Sequence, residues 1–218
     1  MSEYLSAGRF IDSDASNIIA FAKDATAGAP DDAERVKRLY HAVRDGIVYD
    51  PYVDLSDPAN FRASSVLAAK RGFCIGKAAL LAAAARVVGV PARVGYADVR
   101  NHMTSPRLYE KIRTDVFTWH SYADIQLDGQ WAKATPAFDL ALCQRAGVRP
   151  LEFDGTEDSL FQPFDTSGRR HMEYLKDRGT FADVPFEAIV TDFRVQYPAL
   201  MSSKGLSGDF HAEAVAGS

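Results

Sequence analysis

The sequence has few of the features that mark a secreted, membrane or nucleic-acid-binding protein. Its 218 residues include only two cysteines, Cys74 and Cys143, too few for a disulfide framework. No apolar run approaches the roughly 20 residues that span a bilayer, and the N-terminus lacks the apolar core of a signal peptide. Twenty-five basic residues stand against 29 acidic ones, whereas a nucleic-acid footprint needs clustered basic charge. We therefore expect a cytoplasmic protein that binds neither nucleic acid nor membrane.

The composition is that of one ordinary globular domain. Hydrophobic residues make up 47% of the chain, enough to bury a full core. We predict a single domain over residues 1–198, with its core at about 32–140 and a C-terminal extension at 141–198. Residues 199–218 are small, polar and rich in glycine and serine, which predicts a disordered tail.

The order of the predicted elements indicates mixed helix and sheet. Apolar spacing predicts helices over 13–25, 33–44, 64–70, 77–88 and 185–195, and a short helix over 168–176. Strands are predicted over 92–99 and 115–127, and the polar stretch 100–114 between them predicts a lid. The pair Asp128-Gly129 is a strong signal for a two-residue hairpin turn.

Cys74 begins a long alanine-rich helix. Gly72 permits a tight entry, and residues 77–88 contain no glycine or proline. The first turn of a helix offers unpaired N–H groups and a positive dipole end, which can lower a thiol pKa and stabilise an oxyanion. The alternative is a buried cysteine that packs as a small hydrophobe.

His120 lies in the predicted strand 115–127, on the face opposite its apolar residues. The hairpin register, extended beyond the turn, makes Thr135 and Asp139 diagonal neighbours of His120. A nucleophilic cysteine needs a base, and the base needs a third group that orients it. Cys74, His120 and either Asp139 or Thr135 could meet this need.

Four ordered blocks resemble the transglutaminase-like superfamily of bacteria. They are Gly72-Phe-Cys74 with its helix, Gly89-Val-Pro-Ala-Arg93, Trp119-His-Ser-Tyr122 and Gly129-Gln-Trp131. The resemblance implies an α+β, papain-like core, in which a cysteine-bearing helix packs on an antiparallel sheet that carries His and Asp. It also implies hydrolase or acyl-transfer activity without a metal or organic cofactor.

In the superfamily a cysteine, a histidine and an aspartate form a catalytic triad. The resemblance therefore implies that Cys74 is the nucleophile and His120 the general base and acid. The slot in which the superfamily usually has the triad aspartate, four residues after Trp131, holds Thr135. Asp139 is the nearest carboxylate on the predicted face, and we predict that it is the third residue.

Further candidates flank these residues. The resemblance suggests an aromatic side chain ahead of the cysteine as an oxyanion donor, for which Tyr49 or Tyr52 would serve. The remaining candidates lie one helical turn after Cys74 or at the entry to the lid, and could hold a substrate: Lys77, Asp98, Arg100 and His102. Core packing or simple solvation is the alternative for each.

The leading hypothesis is a cysteine-dependent acyl-transfer enzyme that acts on a peptide, protein or small-molecule acyl substrate. Hydrolysis of an amide, isopeptide or ester through a thioester is favoured over crosslinking. The alternatives are a non-catalytic binding module on the same fold, or a thiolate lyase or isomerase for a small anionic molecule. The sequence leaves the oligomeric state open.

Overall fold

The computed structural model describes residues 2–202 and 208–214. Two short 3₁₀ turns form at Ser2–Tyr4 and Pro58–Phe61. The helices, in chain order, are α1 (Ser16–Ala25), α2 (Asp32–Gly46), α3 (Ala63–Ala69), α4 (Cys74–Val87), α5 (Pro106–Ile112), α6 (Leu140–Ala146), α7 (Phe186–Gln196), α8 (Pro198–Met201) and α9 (Phe210–Glu213). The strands are β1 (Val48–Tyr49), β2 (Arg71–Gly72), β3 (Ala92–Asn101), β4 (Val116–Leu127), β5 (Gln130–Ala134) and β6 (Met172–Phe181).

Helix α4 forms the centre of the fold. Every residue from Cys74 to Arg86 is buried, because α1, α2 and α3 pack around one side of the helix and β3 and β4 cover the other. Its alanines let these neighbours approach closely, and a helix that is apolar all round is expected to be buried. The helix therefore begins, at Cys74, inside the junction between the helical layer and the sheet.

The main sheet has the order β5-β4-β3-β6 and is antiparallel throughout. A separate pair of short parallel strands, β1 and β2, delivers the chain to Cys74. The predicted α+β class is confirmed. No helix in the described part of the chain is long and apolar enough to cross a membrane.

The predicted hairpin is present, and its register holds for five residue pairs. Asp128 and Gly129 have φ angles of 49° and 80°, as a type I′ turn requires, and Leu127 pairs with Gln130. The pairing ends at Ala134. Beyond it the outer edge of the chain bonds to Ser159, and neither Thr135 nor Asp139 pairs with β4, so the register extended to these two residues does not form.

Two segments differ from the sequence-based expectation. Residues 172–181 form the edge strand β6 and not part of a helix, because pairing with β3 overrides the local pattern. Within the predicted disordered tail, α8 buries Leu200, and Phe210 of α9 packs against the rings of Tyr49 and Tyr52. The rest of that prediction, at 203–207 and 215–218, lies outside the described residues.

Candidate active site

Cys74 is the first residue of α4, and its sulfur faces backbone N–H groups from two elements. The N–H groups of Ser121, Ile75 and Cys74 itself lower the pKa of the thiol, as expected at a helix start. Burial has the larger effect and raises the pKa to about 11, because Cys74 is only 9% exposed. The expected lowering of the thiol pKa is therefore wrong for this conformation.

His120 is also 9% exposed, although the sequence placed it on the more polar face of its strand. Leu151, Gln162 and Met172 lie over that face and line a small cavity with His120. Burial, with a smaller contribution from nearby His171, lowers the pKa of the imidazole to about 4. Its Nε2 atom is buried without a hydrogen-bond partner. Cysteine and histidine are thus both neutral at pH 7.

A bulge in β4 precedes His120. Trp119 has a φ of 60°, a left-handed conformation that is strained for a bulky side chain, and the pairing with β3 shifts there by one residue. The carboxylate of Asp98 accepts the Trp119 N–H at 3.2 Å and pairs with Arg178, which also pairs with Asp192 at 2.7 Å. Asp98, predicted as a substrate contact, therefore anchors the backbone next to His120. Sequence reasoning missed Arg178 and Asp192.

We expect Asp98→Ala to destabilise the protein by about 3 kcal/mol, since it removes one partner of a largely buried ion pair. The measurement is urea unfolding at pH 7. Glu173→Ala is the matched control, because Glu173 pairs with Arg100 at 3.7 Å and with His102 at 3.2 Å at a more exposed position, where such pairs contribute about 0–1 kcal/mol. Equal effects of the two substitutions would contradict the anchoring role.

Two cavities meet at His120. The first, which we call the apolar cavity, has a volume of about 70 Å³ and is lined by both Cys74 and His120. The second, the threonine cavity, has a volume of about 10 Å³ and is lined by His120, Thr135 and Gln162. The Oγ1 atom of Thr135, like Nε2 of His120, is buried without a partner. The other lining residues are apolar, but a cavity of this size with unpartnered polar groups in its wall has room for about one water molecule.

The carboxylate of Asp139 is engaged elsewhere. It caps α6 by accepting the Leu142 N–H and also accepts the Tyr49 N–H, each at 3.0 Å. Nε2 of His211 lies 3.0 Å away, near enough for an ion pair but out of line for a hydrogen bond. The structure therefore brings Thr135, not Asp139, into the cavity beside His120. The physical reason is that the chain leaves β4 after Ala134.

The two predicted oxyanion donors have different surroundings. Tyr49 lines the apolar cavity, and burial, followed by the nearby Cys74, raises the pKa of its hydroxyl. The Tyr52 hydroxyl bonds to Glu213 of α9. Only Tyr49 is therefore in a position to act beside the sulfur.

The basic side chains that the sequence suggested as substrate-binding groups have partners within the protein. Lys77 is fully buried and donates to the carbonyls of Arg44 and Ile47 at 2.9 and 2.6 Å, at the end of α2. Burial lowers the pKa of Lys77 to about 7.

At the start of the predicted lid, Arg100 pairs with Asp115 at 3.3 Å, and His102 pairs with Glu173 at 3.2 Å. Within residues 2–202 and 208–214, no group of three metal-ligating side chains is present.

The sequence model of the transglutaminase-like superfamily matches residues 19–136, more than half of the chain. The protein therefore belongs to the transglutaminase-like superfamily, as the sequence motifs predicted. No curated protein matches the chain.

One solved structure shows the same fold at low identity, and a second has a weaker similarity only. A "Putative Cysteine Protease" from Cytophaga hutchinsonii aligns with a TM-score of 0.50 and 18% identity, over 85% of this chain and 48% of its own. A "putative protease" from Parabacteroides distasonis has a TM-score of 0.44 and 16% identity, over 64% of this chain and 27% of its own. The chain thus spans less than half the length of either protein.

Proposed function

We propose that the protein is a cysteine-dependent acyl-transfer enzyme that hydrolyses an amide, isopeptide or ester through a thioester on Cys74. The observation that supports this most strongly is that Cys74 and His120 line one cavity, with the N–H of Ser121 directed at the sulfur. A thiol, an imidazole and converging N–H donors are the groups that acyl transfer needs.

The chemistry starts from neutral groups, because the thiol pKa is raised and the imidazole pKa is lowered. His120 takes the thiol proton as the sulfur attacks the carbonyl carbon. The oxyanion that forms is stabilised by the N–H groups at the start of α4. Collapse breaks the bond to the leaving group, which takes the proton from His120 and leaves a thioester. Water, deprotonated by His120, then releases the acid and the free thiol.

Thr135 is the third residue in this proposal. Thr135 and His120 both line the threonine cavity, and Oγ1 of Thr135 and Nε2 of His120 are both buried without a partner, so in this proposal one water in that cavity connects them. A hydroxyl and a water orient the ring but do not supply the charge of a carboxylate. Proton transfer therefore accompanies attack on the substrate and does not precede it.

The test is mass spectrometry of the intact protein after incubation with a pool of acyl thioesters and peptide esters. We expect hydrolysis and an acyl adduct on Cys74, and we expect Cys74→Ala to lose both. Cys143→Ala is the matched control, since Cys143 is buried and takes no part in the apolar cavity. Hydrolysis that survives in Cys74→Ala would overturn the proposal.

The raised thiol pKa also favours a second candidate, a binding module that keeps the fold without catalysis. In that case wild type and Cys74→Ala would bind the same acyl compounds, and neither would turn them over. The lyase or isomerase alternative has less support, because the cations it needs are buried or ion-paired.

A further inference from the structure

Apart from Cys74, the residues that line the apolar cavity belong to segments other than α4. Within the described residues, no carboxylate, lysine or arginine lines it. Five of its apolar residues come from the loop before α3, from α5 in the predicted lid, from α7, and from α8 where the predicted tail begins: Leu55, Leu108, Ile112, Phe193 and Leu200.

Two of the polar side chains in the wall, Tyr197 and Trp119, already have protein partners. The Tyr197 hydroxyl accepts the Thr118 N–H at 2.7 Å and donates to the carbonyl of Val116 at 3.0 Å. The indole N–H of Trp119 donates to Asp192 at 2.8 Å. A charged or strongly polar group that entered would lose its hydration and gain few hydrogen bonds in return, which disfavours its binding.

The volume limits the size of the occupant. At about 70 Å³ the cavity has roughly half the volume of an engineered apolar cavity of about 150 Å³ that binds benzene. An aliphatic group of three or four carbon atoms fits this space, whereas an aromatic ring requires the walls to move.

We infer that this cavity is the acyl-side specificity site and that it selects substrates whose acyl group carries a short branched aliphatic side chain, of the size of valine or leucine. The inference rests on the proposed function, because the cavity lies against the sulfur that would attack the carbonyl. An apolar cavity at this place favours an uncharged acyl group over the small anionic molecule that the sequence left as an alternative.

The test uses the full chain and five N-acetyl-aminoacyl thioesters, those of valine, leucine, phenylalanine, aspartate and lysine. Release of the thiol gives kcat/KM, corrected for spontaneous hydrolysis and for the rate with Cys74→Ala. We expect valine and leucine to exceed aspartate and lysine by at least tenfold, with phenylalanine between them.

A matched pair of variants tests the cavity itself. Leu108→Ala enlarges it by three carbon atoms, and we expect the ratio of phenylalanine to leucine to rise at least fivefold. Leu175→Ala makes the same chemical change at an exposed position of β6, and we expect the wild-type ratio.

The outcomes separate the two proposals. Cys74-dependent turnover that is equally fast for aspartate, lysine and leucine overturns the cavity assignment and leaves the acyl-transfer proposal standing. A phenylalanine-to-leucine ratio of kcat/KM that is unchanged in Leu108→Ala also overturns the cavity assignment alone. Absence of Cys74-dependent turnover for all five thioesters overturns the acyl-transfer proposal, and the cavity assignment with it.

Discussion

Replacing Thr135 with aspartate is expected to raise the pKa of His120 by one to three units, from about 4. A carboxylate at this position would lie at the threonine cavity, which His120 also lines, and would favour the imidazolium. Each unit increases the population of a thiolate–imidazolium pair with Cys74 up to tenfold. We therefore expect iodoacetamide to alkylate Cys74 at least ten times faster at pH 7, with the His120 titration followed by NMR.

Thr135→Asn is the control, because it has the shape of aspartate without the charge. The asparagine variant should leave both the titration and the alkylation rate near those of the wild type. If the two variants behave alike, charge at residue 135 does not reach His120, and Thr135 is not the third residue. Circular dichroism of each variant establishes that the fold is retained.

Acid is expected to destabilise the protein before most of its carboxylates are protonated. Burial lowers the pKa values of His120 and His171 from 6.5 to about 4. Between these pH values the unfolded chain binds more protons than the folded one, so stability is lost as the pH falls. From pH 7 to pH 5 this linkage amounts to about 2 kcal/mol for each histidine.

Urea unfolding at several pH values between 7 and 5 measures this loss. His171→Gln should remove about half of the pH dependence, since glutamine cannot take up a proton, and His120→Gln should remove a similar share. A free energy of unfolding that is constant from pH 7 to pH 5 would show that neither imidazole is held neutral. The comparison between variants remains valid if either one is less stable at pH 7, because it uses the change of the unfolding free energy with pH and not its absolute value.

Local patterns were sufficient for much of the fold. The alanine-rich run starting near Cys74, the alternation in β4 and the Asp128-Gly129 turn each specify an element through neighbours in sequence. Strand β6 and helix α9 were missed because long-range contacts stabilise them: pairing with β3 in the first case, and packing on Tyr49 and Tyr52 in the second.

The candidate site was predictable only in part. Motif order pointed to Cys74 and His120, and both line one cavity. The position of Asp139 was extrapolated from the hairpin, and that step failed because the chain departs from β4 after Ala134. The raised thiol pKa could not be predicted, since it comes from burial by segments distant in sequence.

Enclosure of α4 on every side has a consequence for how a substrate would reach the sulfur. A helix whose residues from Cys74 to Arg86 all contact neighbours cannot shift without opening the whole interior. The covering pieces α5 and α8 are short and contact each other above the apolar cavity. For the proposed reaction, a substrate larger than the cavity would therefore be admitted by movement of these two pieces, while the nucleophile stays in place.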